Sequence, residues 1–245
     1  MKTDNSYHTN SIVNIEKETP KVKNFILDTQ IKAKPGQFVM VWLPRINEKP
    51  FGVVAAKPLT LSIANVGETT GKIHQLKIGD KLSWRGPYGT AFKYQGKKVL
   101  MVAGGYGVVP LYFLALSQNL PNRKKITVII GARDKANLPF VAKFKKLQCQ
   151  VKVCTDDGSA GFKGFTTQLA QELLAKESFD SIYTCGPKPM MYKIGEMANS
   201  LQIPCQISID TFFKCGGLGL CGECAINGHL ACQEGPVFDS KILLE

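Results

Sequence analysis

The chain has 245 residues, enough for one large domain or two small ones with an appendage, and 44% hydrophobic with 20% charged residues is the balance of a folded globular protein. A net charge of +12 raises the question of nucleic acid, but the lysines are scattered in pairs such as Lys97-Lys98 and Lys145-Lys146, with no basic run interleaved with aromatics. They predict a solvated basic surface suited to an acidic partner or to cofactor phosphates, and no nucleic-acid partner.

The opening MKTDNSYHTN is polar and predicts no signal peptide, hence a cytoplasmic setting. Residues 11–95 read as all-β. Ser11–Thr19 alternates, and Val22–Thr29, Gln37–Leu43, Leu59–Val66 and Lys81–Arg85 follow as short strands. Turn signals at Lys34-Pro35-Gly36, Gly67, Gly79-Asp80, Gly86-Pro87 and Gly89 separate them, the pattern of a closed antiparallel barrel. Lys57, Pro58, Leu59 and Thr60 put a cation, a rigid ring and a hydroxyl at a strand start, which suits a phosphate and a flavin lying along the strand. A plain Pro-led edge strand is the alternative. Thr70, Gly71 and Lys72 open a short helix through Leu76, and such an N-terminus accepts anions. The two groups together have room for a pyrophosphate, so FAD is expected rather than FMN.

From Lys97 the period changes to alternating strands and helices. Strands are predicted at Val99–Ala103, Ile126–Ala132, Val151–Thr155, Ser181–Cys185 and Gln206–Ile209. Helices are predicted between them at Val109–Gln118, Phe140–Leu147, Phe165–Ala175 and Pro189–Leu201. That is a doubly wound parallel sheet. The apolar run Val99–Leu116 is long enough to suggest a membrane span, but Gly104, Gly105, Gly107 and Pro110 interrupt it, so a buried strand, turn and helix is expected. Those glycines follow a strand and open a helix, the place where a backbone approaches a pyrophosphate, although Pro110 stands where the dinucleotide fingerprint has its third Gly. Cys185, Gly186 and Pro187 lie at another strand end, where ligands of parallel sheets bind.

The C-terminal region holds Cys215, Cys221, Cys224 and Cys232 in the spacing C-x5-C-x2-C-x7-C. Plant-type [2Fe–2S] sites use C-x4-C-x2-C and a distant fourth Cys, one residue shorter in the first gap. Gly216, Gly217, Gly219 and Gly222 allow a backbone that wraps the sulfurs. The competing reading is a structural zinc site, which is usually built from two C-x2-C knuckles where this chain has one. The expected division is 1–96 for an FAD-binding barrel, 97–209 for an NAD-binding α/β domain and 210–245 for a small Cys-rich cluster domain.

Set in this order, the motifs resemble the ferredoxin–NADP reductase superfamily, and within it the electron-transfer subunits of NAD-linked dihydroorotate dehydrogenases. The resemblance is carried by Lys57-Pro58-Leu59-Thr60-Leu61, Thr69-Thr70, Gly86-Pro87-Tyr88-Gly89, Gly104 to Pro110, Thr155 to Ser159, Cys185 to Met191 and Cys232 to Phe238. Lys57 stands where the family's flavin motif has Arg, and Thr69 where its phosphate turn has Gly. The resemblance implies FAD, a [2Fe–2S] cluster and NAD(H) as co-substrate, in an oxidoreductase subunit with no carbon-substrate site of its own. It implies Cys185 near the nicotinamide. It also implies an FMN-bearing dihydroorotate dehydrogenase catalytic subunit as partner, in pyrimidine biosynthesis, with two copies of each chain. A reductase subunit of a hydrogenase-like complex has the same modules and is the alternative, with a zinc-stabilised binding module behind it.

Overall fold

The computed structural model describes residues 5–118 and 125–244. Its N-terminal half is a closed barrel of β1 (His8–Thr19), β2 (Val22–Leu27), β3 (Phe38–Leu43), β4 (Asn47–Ala56), β5 (Leu59–Ala64) and β6 (Lys81–Tyr88), in the order β1-β2-β5-β4-β3-β6. The pairs are antiparallel. Alternation drives the closure: Leu59, Leu61 and Ile63 of β5 point inward and are fully buried, against Phe25, Leu27, Val39 and Val41, while Thr60 and Ser62 between them stay half-exposed. Helix α1 (Glu68–Ile73) follows β5 and plugs the barrel through Ile73.

The barrel contains β4, which the sequence pattern did not announce. Its residues NEKPFGVVAA carry Pro and Gly inside the strand, residues that ordinarily punctuate one. The strand forms because Val53 and Val54 anchor it in apolar core, while Glu48 to Gly52 run along a half-exposed edge.

The C-terminal half is a seven-stranded sheet. In spatial order it holds β10 (Phe162–Lys163), β9 (Gln150–Thr155), β8 (Ile126–Ala132), β7 (Val99–Gly104), β11 (Ser181–Cys185), β12 (Cys205–Ser208) and β15 (Val237–Asp239). All neighbours are parallel except β15, which returns antiparallel on β12. Helices α2 (Val108–Ser117), α3 (Val141–Lys146), α4 (Thr166–Lys176) and α5 (Lys188–Ser200) cover its faces, and α6 (Ser240–Leu244) ends the described chain. Every residue from Val99 to Ala103 and from Ile126 to Gly131 is buried, as strands covered on both faces must be. No helix among the described residues is long and apolar enough to cross a membrane. Barrel and sheet meet where α2 lies along β4.

Between β12 and β15 the chain leaves the sheet as the Cys-rich loop, with one two-stranded hairpin, β13 (Ala225–Ile226) and β14 (His229–Leu230). Asn227 and Gly228 turn it with φ of 47° and 80°, the left-handed pair a two-residue hairpin needs. The loop rests on the barrel: Phe213 stacks on Phe38 of β3 with centroids 4.5 Å apart.

Candidate functional site

The loop gathers its sulfurs in two pairs. Cys215 shares a hydrogen bond with Cys221, and Cys232 shares one with Cys224. Cys224 and Cys232 are buried, Cys215 is half-buried and Cys221 is exposed. A two-iron cluster takes its thiolates two by two, and four cysteines gathered in this way suit that donor set. Backbone N–H groups face the sulfurs: Leu220 N lies 3.5 Å from Cys215 Sγ. Burial pushes the Cys215 thiol up, but N–H groups of Leu220, Cys221 and Leu218 outweigh it and hold the thiol down at about 6. Cys232 is pushed up to about 11 by burial and by neighbouring Cys224 and Cys215. One sulfur is therefore ready as a thiolate, and another ionises only when a metal takes its proton's place. His229 is not part of this set; its Nδ1 lies 2.9 Å from Glu234 Oε1.

The glycine turn and the Cys185 loop form one structure. β7 and β11 are adjacent and parallel, so Gly104–Gly107 and Cys185–Pro187 leave the sheet side by side at its carboxyl edge. They pack backbone on backbone. A Cβ on Gly107 would overlap the Cys185 carbonyl and come within 2.6 Å of Gly186 N, and one on Gly104 would lie 2.6 Å from Pro187 Cδ. Gly107 is thus fixed by its neighbour loop. Gly105 is the open position: its φ is +54° and a Cβ there would meet nothing within 4 Å, leaving bare backbone at the start of α2. A pyrophosphate fits that opening. The Cys185 loop borders, through Gly186, a cavity of about 200 Å³ lined also by Lys188, Met191, Tyr192, Ile209 and Asp210 among others. Burial pushes the Cys185 thiol up to about 12, with the Asp210 charge adding to it and the Ser208 hydroxyl opposing it. Cys185 stays a protonated thiol, which suits packing against a ligand and not nucleophilic attack. Asp210 is held above the usual carboxylate range by its surroundings.

Residues 210–244 match the family described as "Iron-sulfur cluster binding domain of dihydroorotate dehydrogenase B", and residues 101–195 match "Oxidoreductase NAD-binding domain". A relative from Methanocaldococcus jannaschii, "Probable dihydroorotate dehydrogenase B (NAD(+)), electron transfer subunit", is 48% identical over 93% of this chain and 87% of its own. One of the same description from Thermococcus kodakarensis is 40% identical over 91% and 92%. The chain belongs to the dihydroorotate dehydrogenase B electron transfer subunits. A solved NADH-dependent reduced ferredoxin-NADP oxidoreductase superposes on it with a TM-score of 0.85 at 31% identity, covering 96% of this chain and 89% of the other. The FAD/NAD-binding domain of a Vibrio cholerae nitric oxide dioxygenase shares the fold at TM-score 0.68 and 18% identity, covering 80% and 93%.

In this subunit the Lys57–Thr60 part of the predicted flavin set lies apart from the glycine turn, while Thr70, Gly71 and Lys72 follow the far end of β5. Lys57 and Pro58 are exposed at the turn between β4 and β5, Leu59 is wholly inside the barrel, and Thr60 lines a cavity of about 150 Å³ with Tyr112, Leu116 and Lys143. The other end of the same hairpin meets the glycine turn. A Cβ on Gly52 would lie 3.5 Å from Val109, next to Pro110. Lys49 Nζ sits 5.6 Å above the ring of Phe212, just ahead of the first cluster cysteine. Val53 faces Leu61, so the antiparallel register carries the end of β5, and α1 after it, to this same end. Lys49, Pro50, Phe51 and Gly52 therefore repeat the cation–proline chemistry beside the turn and the cysteine loop. Sequence reasoning assigned no element to residues 44–56 and so missed them; the apolar Val53-Val54 was the available signal.

Helix α1 begins at Glu68, earlier than the Thr70 start expected, with Gly67 as its N-cap. Thr70 lies inside the first turn, and its hydroxyl accepts from Val66 N and Gly67 N at 3.0 Å each, while Lys72 pairs with Glu68 at 2.9 Å. A Cβ on Gly67 would meet nothing within 4 Å, so the helix start is open to a ligand, with Gly71 half-buried behind it.

Proposed function

We propose that this chain carries electrons from a dihydroorotate dehydrogenase catalytic subunit, through a [2Fe–2S] cluster and FAD, to NAD. The cluster is held by Cys215, Cys221, Cys224 and Cys232 in the 210–245 segment. FAD lies on the barrel, 1–96, and NAD(H) at the carboxyl edge of the sheet, 97–209. Bound flavin supplies the conversion between a hydride, which carries two electrons, and the single electrons an iron–sulfur centre accepts. The residues do the positioning. Lys49 to Gly52 form a half-exposed strip between the cysteine loop and the glycine turn, long enough for a flavin ring, and the open start of α1 with Thr70 and Gly71 takes its phosphates. Gly105 presents bare backbone to the NAD pyrophosphate, buried Pro110 fixes the first turn of α2 behind it, and the Cys185–Pro187 loop adjoins the site. The observation that carries this reading is the convergence of three elements, the paired cysteines, the Lys49–Gly52 strip and the Gly105 turn, on one end of the barrel.

The partner is the catalytic subunit, FMN-bearing and present with this chain in two copies each. Leu220, 78% exposed between Cys215 and Cys221, and Phe212, 59% exposed just before the loop, suit a docking face. Anaerobically purified chain should contain iron and sulfide in equal amounts, release FAD on heating, and bleach its flavin on addition of NADH. Zinc without iron, or FMN alone, contradicts the reading. Co-purification with a different oxidoreductase subunit in place of the dihydroorotate enzyme retains the relay and removes the substrate assignment.

A further inference from the structure

An ion pair lies between the strip and the cysteine loop, outside every role assigned so far. Arg85 Nε donates to Glu48 Oε1 at 2.6 Å and Nη2 donates to Oε2 at 2.7 Å, a two-pronged pair with the Arg85 side chain 6% and the Glu48 side chain 17% exposed. Arg85 Nη1 donates to Tyr88 Oη at 2.7 Å, and that hydroxyl donates to Asn5 Oδ1 at 2.9 Å. Glu48 Oε1 also accepts from Tyr7 Oη at 3.0 Å. Glu48 immediately precedes Lys49, and the pair presses on the residue after the first cysteine. A Cβ on Gly216 would overlap Arg85 Nη2 and come within 2.6 Å of Glu48 Oε2, so this glycine, at φ +65°, is held against the charges. A buried ion pair contributes little net stability compared with apolar side chains of the same shape, so folding alone does not account for charges at this place.

We propose that the Arg85–Glu48 pair sets the reduction potential of the centre on the four cysteines, Arg85 favouring its reduced form and Glu48 opposing it. This rests on the reading that those cysteines hold a [2Fe–2S] cluster. Reduction adds one electron, and so one negative charge, to a centre whose ligand loop touches these charges at Gly216, next to Cys215, and burial shields them from salt. Groups just outside the ligands are where such sites are tuned.

The test is an EPR-monitored redox titration of the reconstituted full chain. Glu48→Gln keeps the shape and removes the negative charge, so the midpoint should rise. Arg85→Met leaves Glu48 unopposed, so it should fall. Tyr88→Phe removes a hydrogen bond without changing charge and should leave it in place. Opposite shifts from the two charge variants, with the EPR line shape kept, support the proposal, since a packing role gives no such sign reversal. An unchanged or lowered midpoint in Glu48→Gln overturns it, even if Arg85→Met does not fold. A parent protein with no iron–sulfur signal is a different failure, that of the cluster reading itself.

Discussion

Lys49-Pro50 and Lys57-Pro58 are the same dipeptide, eight residues apart on one hairpin, yet only the first lies on the strip that reaches Val109 and Phe212. Between Gly52 and Lys57 the strand advances about 16 Å at roughly 3.3 Å per residue. That separation takes Lys57 away from the Gly105 turn and leaves Gly52 against Val109. The difference teaches that a cation, a proline and a strand start look alike in sequence wherever they fall. What separates the two is which part of α2 each lies against, its start beside Gly52 or its far end beside Thr60, and that is a long-range property.

The sharpest way to break this comparison is to crowd one end and then the other. Gly52→Leu places a bulky side chain on the strip, where a Cβ would already touch Val109 at 3.5 Å, and should weaken FAD binding by about a hundredfold, roughly 2.7 kcal/mol. Thr60→Val, at the other end, should leave FAD affinity within about twofold. Flavin fluorescence titration of refolded apoprotein reads both, and the reverse order would return the site to Lys57–Thr60. Removing a cation is a milder version. Lys49→Ala should cost about tenfold in FAD affinity, near 1.4 kcal/mol, while Lys57→Ala costs nothing measurable by the same titration.

Helix α1 closes the Lys49 end, and its hydrogen bonds sharpen the contrast in stability. Thr70→Val leaves Val66 N and Gly67 N without their acceptor and should destabilise the fold by about 1–2 kcal/mol, measured by urea denaturation. Lys72→Ala breaks an exposed pair with Glu68, and the same measurement should move by less than about 0.5 kcal/mol. A large effect from Lys72 on FAD affinity and none from Thr70 would mean the lysine, and not the backbone of the helix start, meets the phosphates.

The architecture was legible in the residues wherever a period was strong. Ile126–Ala132 and Ser181–Cys185 are strands with the bounds their apolar runs announce, because a strand buried on both faces leaves no ambiguity. The four cysteines and the glycines around them were legible for a different reason: thiolates at that spacing have few other uses. Strand β4 was hidden by its own Pro and Gly, which the barrel tolerates on a half-exposed edge. Gly107 was read as bare backbone for a phosphate, and its contact with Cys185 shows a glycine required by a neighbouring loop, with Gly105 as the open one. The Arg85–Glu48 pair could not be foreseen, since its partners lie 37 residues apart and meet the cysteine loop only in three dimensions.

The relay itself is tested most directly by adding dihydroorotate anaerobically to this chain assembled with its catalytic subunit and following the FAD absorbance by stopped flow. The account predicts that FAD on this chain is reduced in the parent complex, and that Cys224→Ser abolishes that reduction while the catalytic subunit's own flavin is still reduced. FAD reduction at an undiminished rate in the Cys224→Ser complex would contradict it.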